Sequence, residues 1–471
     1  MKKIKSIYIF LLTALVFSGC KKFDDSINVD PNNPTKASGT QLIANAQFYL
    51  AGLSSSPYGV HYPQYLSLTL FTDNARYTNV NFNFSGLYTG PLMNLETAIN
   101  SNLSANEGPI VNQIAVAKIL KAYFYWHMTD RWGDIPYSEA LKGKDNFTPK
   151  YDSQKSIYDN LFKLLDEANA AIVPGNIKND IVYNGDINKW KRLGNTIHLL
   201  MALRLSKVDA VKGAAEFNKA IANGIMNANT DNLAYPHLAV QAHENYWYNS
   251  FTRLGREWFA VSKPVVDYMK PLDDPRLAVF ANKNGAGNYV GLEYGQNPIS
   301  SSDISKYSLL GSAVRQQNSP VYLVTYAQAL FAKAEAAKLG WIAGGDVEAK
   351  INYDLAIRES IKQWNNNDVS GLALMMSHPE VQYDPANAIK LIAYQRWVHL
   401  FMHGYEGWAE WRRTGFPTLV AAPGANGDRI PRREGYPTQE QQNNSTNYNA
   451  AVAAFPYGGT DGLNARVWWD K

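Results

Sequence analysis

One cysteine, Cys20, occurs in 471 residues, which excludes an intramolecular disulfide because such a bond needs two thiols. Charge is also sparse: 18% of the residues are Asp, Glu, Lys or Arg, and the formal net charge is +4. Lys2, Lys3 and Lys5 lie in the first nineteen residues with no acid among them, so the rest of the chain carries +1. A near-neutral body without clustered Lys and Arg lacks the electrostatic footprint of a nucleic-acid binder. HExxH, Walker A and GxSxG patterns are missing, and with them the sequence basis for the chemistries those patterns serve. Gly285-Ala286-Gly287 with Gly291 lacks the strand before and the helix after that a dinucleotide loop needs, and is expected to be a plain loop. Long apolar runs are missing too. The best, Ile7 to Phe17, rises 1.5 Å per residue and covers about half of a ~30 Å bilayer core.

What is present at the N-terminus reads as a secretory leader over residues 1–19. The three lysines form its charged region, Ile7 to Phe17 its apolar region, and Ser18-Gly19 lead to the only thiol. Phe17-Ser18-Gly19-Cys20 resembles a bacterial lipobox, with Phe17 where Leu is usual, so Cys20 is the expected lipidation site. Several acyl chains anchor stably where one binds only marginally. Residues 20–40 are polar, carry Asp24, Asp25, Asp30, Pro31 and Pro34, and are expected to be a flexible tether. Lys22-Phe23-Asp24-Asp25 resembles the lysine-plus-acidic signal of Bacteroidetes surface lipoproteins.

Residues 41–471 are expected to form one mainly helical, all-α domain. Ile157, Leu161, Leu164, Leu165, Ala168 and Ile172 make one helical stripe, opened by Asp152 as a cap and closed by Pro174-Gly175. Trp190, Leu193, Ile197, Leu200 and Leu205 make another after Asp186. Gln113 to Met128 is apolar nearly all round, as in a fully buried helix. Helices over about 321–340 and 346–364 are joined at Gly344-Gly345, and the short link makes them antiparallel neighbours. Ala327, Ala334 and Ala337 would face Tyr353, Ala356 and Ile357, a small-and-aromatic seam of the tetratricopeptide kind, although no clean 34-residue repeat is visible. A last long helix is expected from Pro385 through Phe401 towards Trp411. Between these, about 54–92, 228–258, 281–319 and 414–471 lack periodicity yet are rich in Tyr, Trp, Phe and Asn. They are expected to be ordered, functional loops.

Ordered matches along the chain carry a family resemblance. They are Lys121-Ala122-Tyr123-Phe124 through Arg131-Trp132-Gly133-Asp134-Ile135-Pro136-Tyr137; Gly185-Asp186 with Lys189-Trp190-Lys191-Arg192-Leu193-Gly194-Asn195 and Leu203-Arg204; and Asp273-Asp274-Pro275-Arg276-Leu277. Tyr326-Ala327-Gln328 with Ala334-Glu335-Ala336-Ala337 follows, Gln328 standing where Glu is usual. Glu406-Gly407-Trp408, Arg412-Arg413-Thr414-Gly415-Phe416-Pro417 and Val467-Trp468-Trp469-Asp470-Lys471 complete the series. In these segments the sequence resembles the SusD/RagB nutrient-binding outer-membrane lipoproteins, in particular the SusD-like branch. The resemblance implies tetratricopeptide-like helix pairs with irregular ligand loops. It also implies an outer-membrane, cell-surface lipoprotein that binds nutrient and sits on a SusC-like TonB-dependent barrel.

Most of these motifs are expected to serve the fold. Gly133 and Pro136 stop a helix, and Glu335 is expected to be a paired, buried carboxylate. His399 and His403, four apart on one expected helix with Glu406 and Glu410 below, have metal-pair spacing. The preferred reading is two histidines at a helix end near its carbonyls, with no metal and no cofactor. Ligand contact is expected from the aromatic loops. Tyr77, Phe82, Phe84 and Tyr88 interleave with Asn74, Asn79, Asn81 and Asn83. Tyr246, Trp247 and Tyr248 follow His243-Glu244-Asn245, with Arg253 and Trp258 after them, and Tyr289 and Tyr294 flank Gly291. Rings with polar handles suit sugars or peptides. The expected function is non-enzymatic capture of an oligosaccharide; the alternatives are a peptide ligand, a helical glycoside hydrolase or a surface adhesion protein.

Overall fold

Eleven helices of eight residues or more position everything else in the computed structural model, which describes residues 37–101, 103–455 and 459–471. They are α1 (Gly39–Phe48), α2 (Met93–Asn100), α3 (Ile110–Trp132), α4 (Gln154–Ala171), α5 (Ile187–Arg204), α6 (Ala210–Asn223), α7 (Tyr326–Lys338), α8 (Gly345–Trp364), α9 (Ala388–His399), α10 (Gly404–Thr414) and α11 (Ser445–Ala453). The leader over 1–19, Cys20 and most of the expected tether lie outside the described residues. Helix α1 begins at Gly39, within the last two residues assigned to the tether.

Consecutive helices pack as pairs, α3 on α4, α5 on α6 and α7 on α8, a tetratricopeptide-like arrangement. Helix α3 is buried on all sides, as its composition requires; its chain stops at Gly133, whose φ of +81° suits a residue without Cβ. Asp186 caps α5 by accepting from the backbone N–H groups of Asn188 and Lys189. Ser153, not Asp152, caps α4, accepting from Ser156 N. Asp152 is instead drawn to the preceding turn, where its carboxylate accepts from Tyr137 N and Ser138 N. Gln328, where the family has Glu, completes a capping box with Thr325 at the start of α7.

Three two-stranded antiparallel ribbons tie the loops to this scaffold. β1 (Leu66–Leu68) pairs with β5 (Phe259–Val261), β2 (Ile135–Pro136) with β3 (Tyr151–Asp152), and β4 (Leu233–Tyr235) with β6 (Val321–Val324). The segment from Val321, expected as helix, is therefore strand up to Val324 before α7 begins. Its β-branched, apolar run fills a ladder better than a helix stripe.

The expected last helix is two. Chain between α9 and α10 breaks at Leu400 to His403, with Met402 left-handed at φ +70°. Close backbone packing explains the break: a Cβ on Gly404 would lie 2.3 Å from the carbonyl carbon of Gly59, and one on Gly407 2.4 Å from the Tyr65 hydroxyl. The Gly-rich start of α10 thus lets segment 59–65 lie directly on the helix, which no straight continuation of α9 would allow.

The break also separates His399 from His403, so the two do not share a helix face. Both His399 ring nitrogens are taken, Nδ1 by Ser360 Oγ at 2.9 Å and Nε2 by Thr325 Oγ1 at 2.7 Å. Burial pushes His61 down to about 4 and both His399 and His403 down to about 3. These rings are neutral when folded and gain protons on unfolding below pH 6.5, so the unfolded state binds more protons and stability falls as pH drops. Asp130, Glu406 and Glu434, whose carboxyls burial pushes up, offset part of this. The thermal midpoint is expected to fall steadily from pH 7 to pH 4.5, each histidine contributing up to about 1.4 kcal/mol per pH unit. A flat midpoint across that range would contradict the buried neutral state.

Candidate functional site

Nine side chains were expected at a ligand site, and packing separates them into two groups. Tyr77, Phe84, Trp247 and Tyr294 are buried. Tyr77 stacks on Tyr62 with ring centroids 6.2 Å apart, and Phe84 meets Trp132 edge-on at 5.4 Å. Trp247 donates Nε1–H to Ser55 Oγ at 2.6 Å, and Tyr294 donates its hydroxyl to His61 O at 2.7 Å. Tyr88 is half-buried and donates to Pro136 O at 2.5 Å. These rings fasten loops to the helices and offer a ligand little or no surface. The reason is physical: a ring in an aperiodic loop has no sequence pattern to say which way it faces, and burial of so much apolar area favours inward packing.

Phe82, Tyr248, Arg253 and Tyr289 keep some exposure. Arg253 grips Glu244 with two nitrogens, at 2.8 and 2.6 Å. That pair, with Asn249 Nδ2 2.9 Å from Glu244, holds the Glu244 carboxyl down to about 2. Tyr289 stands alone from the others, with Lys283 above its ring.

The exposed rings come from segments before and after β1 and before β5. Tyr58 is 47% exposed and Tyr246 45%. Tyr58 meets Phe82 edge-on at 6.3 Å, and Phe48 stacks on His243 at 5.7 Å, tilted by 20°. Tyr49 lies across Gly90, where a Cβ would come within 2.7 Å of its ring. Beside Tyr246 opens a cleft of about 370 Å³ lined also by Ser55, Ser56, Pro57, Glu244 and Asn245, among others. Its size is that of a small-molecule site. Burial raises the Tyr246 hydroxyl, and the nearby Arg256 charge partly lowers it. Arg256 also lies 4.6 Å over Trp258, which Phe71 meets edge-on at 4.9 Å. Phe71 is 65% exposed and held left-handed at φ +54°, an uncommon state for an aromatic residue.

Of these, Tyr58, Phe71, Tyr246 and Trp258 stood in the expected aromatic loops, although only Tyr246 and Trp258 were singled out; Phe48 and Tyr49 lay outside them. Tyr58 had one available signal: it directly follows the small-residue run Ser54-Ser55-Ser56-Pro57. Phe71 had none.

Chemically, the face offers aromatic planes, hydroxyls, side-chain amides and one arginine-bound carboxylate. Glu244 stays ionised across the physiological range and so is a hydrogen-bond acceptor rather than a proton donor. Ring stacking and hydrogen bonds of this kind suit a polyhydroxylated ligand. The class defined by fold and face together is a helical-repeat protein with an aromatic surface in its loops.

The SusD-like family model, described as starch-binding and associating with the outer membrane, matches residues 31–437. Among solved structures, a chitin-binding protein superposes with a TM-score of 0.80 at 28% identity, covering 92% of this chain and 100% of its own. A chitin-binding SusD homologue from Flavobacterium johnsoniae gives 0.76 at 25% identity, covering 92% and 98%. A SusD homologue from Bacteroides fragilis gives 0.79 at 24%, covering 93% and 100%. No curated protein matches the chain. The chain belongs to the SusD-like family.

Proposed function

We propose that this protein is a cell-surface lipoprotein that captures a neutral oligosaccharide on the face built by Tyr58, Phe82 and Tyr246 and passes it to a SusC-like TonB-dependent barrel. The observation that carries the reading is the uncovered group of aromatic rings around a hydroxyl- and amide-lined cleft, on a fold whose relatives include chitin binders. Of the residues expected from sequence, Phe82, Tyr248 and Arg253 remain candidates at this face. Arg253 acts there through Glu244, which it orients. Cys20 carries the lipid, and the polar segment after it lets the body reach the barrel from the membrane.

Binding is favoured over hydrolysis by the state of the acids. Glu244 at the cleft is held ionised by Arg253, whereas a glycosidase needs one carboxyl kept protonated. The carboxyls that burial raises, Asp130, Glu406 and Glu434, are engaged by arginines inside the scaffold, and none of them lines this cleft.

Two measurements on the full chain test this. Calorimetric titration with chito- and malto-hexaose is expected to give saturable binding to at least one. Outer-membrane fractions of cells carrying the parent chain are expected to retain it together with a large barrel protein, while Cys20→Ser leaves the chain in the soluble fraction. Absence of heat with every saccharide and with peptides, or retention of the serine variant in the membrane, would refute the corresponding half of the proposal.

A further inference from the structure

A second cleft, of about 460 Å³, opens beside the aromatic one and shares the Ser55 and Val321 wall with it. The wall is well fixed. Ser54 Oγ donates to Tyr322 O at 2.7 Å, Ser55 N to Met402 O at 2.7 Å, and Asn245 Nδ2 to Ser319 O at 3.0 Å. On the far side stand Trp364, at the end of α8, and Phe401. Trp364 is held edge-on to Phe280 at 5.0 Å and to Tyr322 at 5.4 Å, and donates Nε1–H to His399 O at 3.1 Å.

The lining has an unusual composition. Among the described residues, no Asp, Glu, Lys or Arg contributes to it. His403, 93% buried, is neutral there, because burial pushes its pKa down to about 3. What remains is four side-chain amides (Gln316, Asn318, Gln363 and Asn366), hydroxyls and rings. Such a lining offers nothing to an anion or a cation, but its amides and hydroxyls both donate and accept, as the hydroxyls of a sugar do.

Two residues of this lining also carry unused hydrogen-bonding capacity. Among the described residues, His403 Nδ1 and Gln363 Nε2 are buried without a partner, although Gln363 Oε1 accepts from Asn232 at 3.0 Å. Buried polar atoms are costly to leave unpaired, and a ligand that meets them recovers that cost. Three lining residues, Ser55, Asn366 and Met402, also have left-handed backbone, with φ of +48°, +52° and +70°. Non-glycine residues in that region cost free energy and gather at ligand sites. Three separate segments are thus bent around one uncharged hollow.

We propose that this hollow is a second saccharide subsite, taking an uncharged sugar unit between the Trp364 ring and the amides of Asn318, Gln363 and Asn366. It rests on the glycan reading of the neighbouring face but is a different site, formed by α8, the Gln316–Tyr322 segment and the α9–α10 break. A chain of several sugars gains affinity from it; a disaccharide held at the aromatic face does not.

The test uses Asn318→Ala combined with Asn366→Gly. Both side chains are exposed, and glycine keeps the left-handed backbone at 366. Parent and variant are titrated calorimetrically with the di- and hexasaccharides of N-acetylglucosamine and of glucose, beside Tyr58→Ala/Tyr246→Ala. The cleft variant is expected to bind the preferred hexasaccharide about tenfold more weakly, while its disaccharide affinity matches the parent's. The aromatic variant is expected to weaken both. A cleft variant that binds every hexasaccharide as the parent does would overturn the second subsite and leave the aromatic face standing. A parent that binds no saccharide overturns the glycan reading and the subsite together.

Discussion

Arg413→Met is expected to lower the unfolding free energy by about 3–5 kcal/mol, seen as a lower urea midpoint with an unchanged slope. Arg413 is 2% exposed and holds Glu335 through two bonds of 2.6 Å and Glu410 through two, of 2.7 and 3.3 Å. Arg396 bridges the same two carboxylates, and Arg204 joins Glu410 to Glu406 and Asp130. Burial raises the Glu335 and Glu410 carboxyls, but the surrounding guanidinium groups outweigh it and hold both below their ordinary value. Without Arg413, two ionised groups remain in the core with a partner missing. Removing Glu335 as well, in Glu335→Met/Arg413→Met, is expected to cost less than the two single changes summed, because no orphaned charge is then left at that end. A single-variant loss below about 1 kcal/mol would mean that the network is relaxed by water and does not brace the helices.

The second large effect concerns ligand. Tyr58→Ala/Tyr246→Ala is expected to weaken oligosaccharide binding on the order of a hundredfold, since two exposed rings at the centre of a contact carry most of its energy. Thermal stability should change little, because nearly half of each side chain already faces solvent. That separation of affinity from stability distinguishes a recognition surface from a packing one. For contrast, Tyr77→Ala or Phe84→Ala removes a buried ring and is expected to lower the melting midpoint first. Affinity in the double variant within threefold of the parent would place the ligand elsewhere.

The ion network also accounts for the motifs expected from the sequence to serve the fold. Arg204 ends the α5 segment, Glu335 lies in the alanine-rich segment, and Glu406, Glu410, Arg412 and Arg413 fill α10. They meet in one buried cluster, with Trp469 donating to Asp130 at 2.7 Å. Asp274-Pro275-Arg276 forms a second such lock. Arg276 is fully buried, bonded twice to Asp274 and also to Ser360 and Gln395. Much of the sequence that carries the resemblance is, in this chain, the interior wiring of the scaffold.

Local rules alone settled α3, α4, α5 and the α7–α8 pair, because a helix closes its hydrogen bonds four residues away and its apolar stripe follows the same short period. The caps at Asp186 and Thr325 and the stop at Gly133 are written in the same local code. Tertiary structure decided the rest. The break at Met402 exists because Gly404 must lie against Gly59, some 345 residues earlier in the chain. The aromatic loops divided into buried anchors such as Trp247 and open rings such as Tyr58 according to which side met a helix. A ring without periodic neighbours has the same sequence in either case, and only the space left by distant segments fixes whether it packs or waits for a ligand.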